Sequence, residues 1–289
     1  MADLDRAIGY VVAHGDPVDR ARLSWLRSGI APPPEVLAKA EQGQAPGGGW
    51  PAFWAGDVAS VDATCFRLAE LDDLGALDRE PARRALDWLA GRQRPDGTWE
   101  EDESLADGAP AWARPGDPEA RLYLTANTGF WLVAGRLPAT TGLPSGTGTA
   151  VGGDPVPEPA APSAVDNARA EVVARATQAF RAALREDGTW PSYLPAGWLG
   201  AALLYHAGWF YEAAQIQVIL AERVPDLSPA DVAWLGAALR RVGVSPDDWL
   251  LTAARKRLTE TQRSDGGWES DDGDAFNVHT TLTALRALR

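Results

Sequence analysis

The chain has 289 residues, 45% of them hydrophobic, with 40 acidic against 27 basic side chains and a net charge of -13. That length and apolar content allow a packed interior, and the negative field repels phosphate backbones, so no nucleic-acid partner is expected. The single cysteine, Cys65, excludes an internal disulfide, and no run of about 18 apolar residues is present to span a membrane.

The start, Met1 to Arg6, lacks the basic head and apolar core of a signal peptide. A cytoplasmic location with at most peripheral membrane contact is therefore the default expectation. Apolar spacing with start and stop signals predicts helices near 4–14, 17–28, 33–43, 59–75 and 80–93. Seven more follow near 118–135, 166–185, 194–207, 209–223, 228–242, 246–262 and 275–289. Asp16-Pro17, Asp117-Pro118, Ser228-Pro229 and Ser245-Pro246 each read as an N-cap with proline in the first turn. Residues 138–163 break the pattern: they are rich in Pro, Gly and Ala and nearly free of charge. They read as a flexible insertion, either without a role or as a lid.

Four tracts repeat along the chain: Gln44-Ala-Pro-Gly-Gly-Gly-Trp50, Gln93-Arg-Pro-Asp-Gly-Thr-Trp99, Leu184-Arg-Glu-Asp-Gly-Thr-Trp190 and Gln262-Arg-Ser-Asp-Gly-Gly-Trp268. Each follows a helical stretch, and its Asp-Gly or Gly-Gly supplies the left-handed residue of a tight turn. The Trp can fold back over that turn with its indole N–H free to find an acceptor. The helices after the turns align on a Thr with Leu four residues later: Thr64/Leu68, Thr128/Leu132 and Thr281/Leu285. Twelve helices in helix–turn–helix units make six pairs, which suits a closed ring better than an open solenoid with polar capping repeats. The expected fold is all-α, an (α/α)6 toroid forming a single domain over 1–289.

These Gln-x-x-(Asp/Gly)-Gly-x-Trp tracts resemble the QW repeats of squalene–hopene and related triterpene cyclases, and are similar to the glycine-rich turns of protein prenyltransferase β subunits. The resemblance spans nearly the whole chain as a single-barrel member, and it speaks for fold more than for activity. It implies that the helices after the Trp turns line a central cavity. Two residues before the shared Thr lie Asp62, Ala126 and His279, and one before it lie Ala63, Asn127 and Thr280.

In the cyclases that this chain resembles, an Asp-x-Asp-Asp-Thr-Ala motif delivers a proton to an alkene or epoxide. Here Ser60-Val61-Asp62-Ala63-Thr64-Cys65 keeps the middle Asp and the Thr and lacks both flanking acids. Asp57 and Glu119 are candidates to replace them. The chemistry asks for a carboxyl kept protonated in a dry cavity; the structural alternative is that Asp62 caps its helix. The resemblance thus implies a class II, protonation-initiated cyclase with Asp62 as acid. Asn127 and His279 would position substrate or remove a terminal proton. Trp54, Tyr123, Trp131, Trp198 and Tyr205 are the expected aromatic substrate contacts. The partner implied is a hydrophobic isoprenoid.

Other chemistries remain open. A zinc prenyltransferase would need an Asp, Cys and His trio; Asp62, Cys65 and His279 supply the types but not that family's motif. No cofactor is expected, with Mg2+ entering only if the substrate is a diphosphate. The acidic runs Glu100–Glu103 and Asp271–Asp274 could then hold the ion, but neither matches the Asp-Asp-x-x-Asp motif of ionising terpene synthases, and solvated loops are the preferred reading. A toroid binding an apolar ligand or a partner protein without catalysis is the rival from another class.

Overall fold

The computed structural model describes residues 2–138 and 164–289. The expected Pro/Gly/Ala-rich insertion therefore lies, apart from Pro138, outside the described residues. Twelve α-helices occur among the described residues, and they alternate between two rings. The outer helices are α1 (Leu4–His14), α3 (Pro34–Glu41), α5 (Glu80–Gly91), α7 (Ala164–Ala183), α9 (Phe210–Arg223) and α11 (Trp249–Thr261). The inner ones are α2 (Pro17–Ser28), α4 (Val61–Asp73), α6 (Pro118–Ala134), α8 (Leu194–His206), α10 (Pro229–Arg241) and α12 (Asn277–Ala287). Each inner helix packs on the next, α12 returns to α2, and most outer helices wedge between two inner ones, so the ring is closed.

Burial follows that arrangement. Inner helices α6, α8 and α10 are buried along most of their length, whereas α5 buries only Ala82, Ala85, Leu86 and Leu89 and α9 only Ala213, Ile216, Gln217 and Leu220. An inner helix touches neighbours on every side except the cavity, so its sequence loses the one-sided stripe of a surface helix. Close packing demands small residues in places: a Cβ on Gly200 of α8 would stand 2.0 Å from the ring of Phe180 on α7.

Three of the four repeated turns brace the ring in much the same way; in the Trp190 turn the indole instead donates to Tyr193 O at 3.0 Å. Trp99 Nε1 donates to Leu89 O at 2.7 Å and Trp268 Nε1 to Leu258 O at 2.8 Å, which satisfies carbonyls in the last turn of the preceding outer helix. The backbone N–H of Trp50, Trp99 and Trp268 donates to Thr64, Thr125 and Thr281 on the inner helix that follows. Each glutamine also ties its own turn to the next outer helix: Gln44 to Pro81 O, Gln93 to Val172 O, Gln262 to Asp3 O. In the third tract Leu184 has no amide to offer, and Gln215 of α9 reaches back to Glu186 O at 3.5 Å instead.

Three local expectations need correction. The threonine of α6 equivalent to Thr64 and Thr281 is Thr125, not Thr128, because Thr125 receives the tryptophan amide. The residue of α6 that matches Asp62 and His279 is accordingly Tyr123. Ser245-Pro246 does not open α11; Asp248 caps it, accepting from Leu250 and Leu251 N–H. Finally, a two-residue antiparallel ladder, β1 (Trp50–Pro51) with β2 (Ala59–Ser60), holds the entry to α4, and nothing in the residue pattern announces a strand that short.

Candidate active site

The centre of the ring holds a cavity of about 430 Å³. One face of α4 forms its first wall, with Asp62, Cys65, Phe66, Ala69, Asp72 and Asp73 falling at helical spacing. Tyr123, Asn127, Phe130 and Trp131 line it from α6; Trp234 and Arg241 from α10; His279, Thr280 and Arg286 from α12. From Asp62 to Asp72 is ten residues of helix, so this wall runs about 15 Å from one end to the other.

Asp62 stands at the N-terminal end of that wall. Its Oδ1 accepts from the Tyr123 hydroxyl at 3.1 Å and its Oδ2 from Trp112 Nε1 at 3.1 Å. Both donors are neutral. Burial pushes the Asp62 carboxyl above its ordinary range, and the two hydrogen bonds oppose that rise without cancelling it. Burial and the neighbouring Asp62 charge also push the Tyr123 phenol well up, so it stays a donor.

Asp62 does not cap its helix. The cap is Ser60, whose Oγ accepts from Ala63 N–H at 3.1 Å. The remaining free amides go to Glu101, which follows the second Trp turn: Val61 N–H donates to it at 2.8 Å and Asp62 N–H at 2.9 Å. Ser60 Oγ donates to the same carboxyl at 2.8 Å. The acid brought to this helix start from elsewhere is thus Glu101, and neither Asp57 nor Glu119 is among its partners.

The other end of the cavity is ionic. Arg241 Nε lies 3.2 Å from both oxygens of Asp72, and its other nitrogens donate to Ala134, Leu137 and Pro138 carbonyls beyond the end of α6. Arg286 bridges Asp72 and Asp73, and Arg22 of α2 pairs with Asp73 and approaches Asp19 at 3.4 Å. The C-terminal ends of α4, α10 and α12 therefore meet in one buried network. Burial alone would raise Asp73, but Arg22 and Arg286 outweigh it and hold that carboxyl below its usual range.

Arg22 also meets His279, at 3.1 Å from Nδ1. Arginine has no acceptor, so Nδ1 must accept and the histidine proton sits on Nε2. Burial and the Arg22 charge pull His279 down to about 4, which fixes it as a neutral ring near neutral pH. Its ring lies against Phe66 with centroids 6.1 Å apart.

Of the expected site residues, Asp62, Tyr123, Asn127, Trp131 and His279 share this cavity, while Trp54, Trp198 and Tyr205 do not line it. Trp198 is fully buried one layer back, edge-on to Trp234 at 5.5 Å. Tyr205 packs against Phe210 at 5.3 Å towards the end of α8, and Trp54 sits in the turn between β1 and β2. Residues not singled out in the sequence are Trp112, Phe66, Glu101 and the ionic floor. Trp112 lies in a short 3-10 turn outside the repeat, so its register was invisible. Glu101 was hidden inside an acidic run.

That run does not behave as a solvated loop throughout. Glu100 accepts from Arg94, Arg121 and Gly116 N–H, and Glu101 is buried. Among the described residues no group of three or more His, Cys, Asp or Glu is arranged to hold a metal. Cys65 is buried with Sγ 3.7 Å from Thr128 Oγ1, and burial raises its thiol well above the ordinary range.

No family model matches the chain, and no curated protein matches it in sequence. Solved structures do. A protein from Actinoplanes matches with 19% identity over 94% of this chain and 87% of its own, at a TM-score of 0.55. Type II terpene cyclase MstE from Scytonema matches with 17% identity over 94% of this chain and 85% of its own, also at 0.55. A variant of MstE in complex with geranylgeranyl dihydroxybenzoate, its substrate, matches at 17% identity, the same coverage and a TM-score of 0.53. At such identities the likeness is one of fold: this chain has a terpene cyclase-like, all-helical toroid. Among the described residues no helix is long and apolar enough to cross a membrane.

Proposed function

We propose that the chain is a class II-type terpene cyclase that protonates an isoprenoid held in the central cavity. The observation that carries this reading is Asp62: a carboxyl raised by burial, bonded only to neutral donors, and opening on an aromatic-walled cavity. Burial favours the protonated acid, the form that can give its proton to a bound alkene or epoxide. Trp112 and Tyr123 then stabilise the carboxylate left after the proton departs. Phe66, Phe130, Trp131 and Trp234 present rings to the carbocation, and the apolar walls exclude the water that would quench it.

Asn127 and His279 take different parts in this reading. Asn127 is buried, donates to the Tyr123 oxygen at 3.2 Å, and has an Oδ1 without a protein partner; it is the acceptor that can hold a substrate hydroxyl or a departing proton. His279 has its proton on Nε2, so it positions substrate as a donor rather than acting as the terminal base. A cavity of about 430 Å³ suits a prenyl chain of farnesyl to geranylgeranyl length and is small for squalene. The likeness to MstE, whose substrate is a geranylgeranyl compound, supports the same range.

The test is incubation of the purified protein with squalene, oxidosqualene, prenyl diphosphates from geranyl to geranylgeranyl and geranylgeranyl dihydroxybenzoate, with and without Mg2+. Products are read by mass spectrometry beside an Asp62→Asn variant. A cyclised product made by the parent and lost in the variant is expected. Turnover of none of them would leave a toroid that binds an apolar ligand without catalysis.

A further inference from the structure

Among the inner helices, α4 is unusual in how its first turn is satisfied. Helices α2, α6 and α10 cap themselves through Asp16, Asp117 and Ser228. Helix α4 has its own cap in Ser60 and yet also receives Glu101, contributed by a loop about 40 residues further along. This second cap pairs the Val61 and Asp62 amides that Ser60 leaves free. It is also costly to build, because Glu101 is only 4% exposed and a buried carboxylate must be compensated by every bond it makes.

What the extra carboxylate changes is the surroundings of Asp62. The amides at a helix start attract the nearest anionic side chain, and Asp62 lies in that first turn. With Val61 and Asp62 N–H both occupied by Glu101, the Asp62 side chain has no amide to turn back to. It reaches the other way, to Trp112 and Tyr123 at the cavity. We propose that Glu101 is a positioning residue for the acid: it takes up the free amides of α4 so that the Asp62 carboxyl is left facing the cavity and uncompensated by its own helix. This inference rests on the cyclase reading for its meaning, but not for its test.

The charged and titratable groups around Asp62 are few. Glu101 lies at the helix start, Cys65 is one turn along α4, and Tyr123 faces it from α6. Asp231 of α10, with Asp271 and Asp272 ahead of α12, lines the same cavity, as does His279. The cations that line the cavity, Arg241 and Arg286, stand at its far end, about 15 Å along α4, and are paired with Asp72 and Asp73, so removing Glu101 leaves the positive helix start as the main influence on Asp62. The anionic form of Asp62 is then favoured.

The experiment follows the Asp62 carboxyl by carbon-13 NMR titration in the full chain, parent against Glu101→Gln. Glutamine keeps the size of the side chain but cannot accept from all three donors as a carboxylate does. The Asp62 midpoint is expected to fall by a unit or more in the variant, and each unit removes about tenfold of the protonated acid at a given pH above it. In the parent, the amide resonances of Val61 and Asp62 should titrate with the Glu101 midpoint. That reading needs no variant and stands if Glu101→Gln does not fold. An unchanged or raised Asp62 midpoint in the variant, or parent amides that follow the Asp62 midpoint, would overturn the inference. If the parent also cyclises a substrate, the variant's lost rate should return on lowering the pH, which a merely structural defect would not allow. If no isoprenoid is turned over, the cyclase reading fails on its own and the titration still decides the role of Glu101.

Discussion

The Tyr123 hydroxyl donates to Asp62 Oδ1 at 3.1 Å from the position on α6 that corresponds to Asp62 on α4. Adjacent repeats therefore contribute the two halves of one hydrogen bond, and the pair is set by the register of the Trp turns. Replacing Tyr123 with Phe keeps the wall and deletes the donor. The Asp62 carboxyl should rise further and the carboxylate formed on proton transfer should lose about 1.5–3 kcal/mol of support. We expect kcat to drop by roughly tenfold to a hundredfold with little change in KM. An unchanged kcat would mean that the phenol does not assist the acid.

His279 predicts a dependence of stability on pH. Its folded-state value of about 4 lies below the ordinary 6.5, so the unfolded chain takes up that proton first. Stability from this group is full above about 6.5 and is lost as the pH falls towards 4. With the ring partly reached by solvent through the cavity, the loss should be on the order of 2 kcal/mol. Denaturant unfolding across that window, parent beside His279→Gln, isolates it: the variant should show a shallower slope, and identical slopes would refute the assignment.

The ionic floor predicts a severe effect from a single side chain. Asp72→Leu leaves Arg241 without its carboxylate and removes one of the two partners of Arg286. Breaking one side of a buried pair costs about 3–5 kcal/mol, enough to unfold a marginal protein. We expect a large loss of thermal stability or insoluble protein. A melt within a few degrees of the parent would show that water reaches the arginines.

Gln262 predicts where the ring is fastened. Asp3 N–H donates to Gln262 Oε1 at 2.7 Å, and Gln262 Nε2 returns a bond to Asp3 O at 2.9 Å. Gln262→Leu mimics Leu184 of the third turn and should cost about 1–3 kcal/mol. Hydrogen exchange should speed up in α1 before it does elsewhere, since its tie to the last turn is lost. Uniform exchange throughout would mean that the packing of α1 on α12 fastens the seam unaided.

The helices were legible because their period, N-caps and glycine turns agree, and the pairing was legible because one turn recurs four times. What the recurrence could not give was exact register: Thr128 has Leu132 four residues on, as Thr64 has Leu68, whereas Thr125 has Gly129 there, and only the Trp99 amide shows that Thr125 is the equivalent residue. Asp62, Tyr123, Asn127, Trp131 and His279 could be named because they belong to helices that follow repeat turns. Trp112 and Glu101 could not, since each acts from a loop on a residue some 40 or 50 positions away. Trp131 and Trp198 are both aromatic residues of inner helices; that Trp131 lines the cavity while Trp198 packs edge-on behind Trp234 is a matter of helix rotation, which composition does not encode.

The seam joins residues 259 apart in sequence, the longest separation among these bonds. The Gln ties of the earlier turns form between neighbouring pairs, whereas this one, with the Arg22–His279 contact and the Arg286 pairs to Asp72 and Asp73, must wait for the last helices to meet the first. Ring closure therefore carries the largest loop entropy of any step in folding. The pairs can assemble in order as an open arc with an unfinished wall, and the cavity gains its full lining only when the last turn finds the first helix. Completion of the cavity wall is thus a late event in the kinetics of folding, gained where the last helices meet the first.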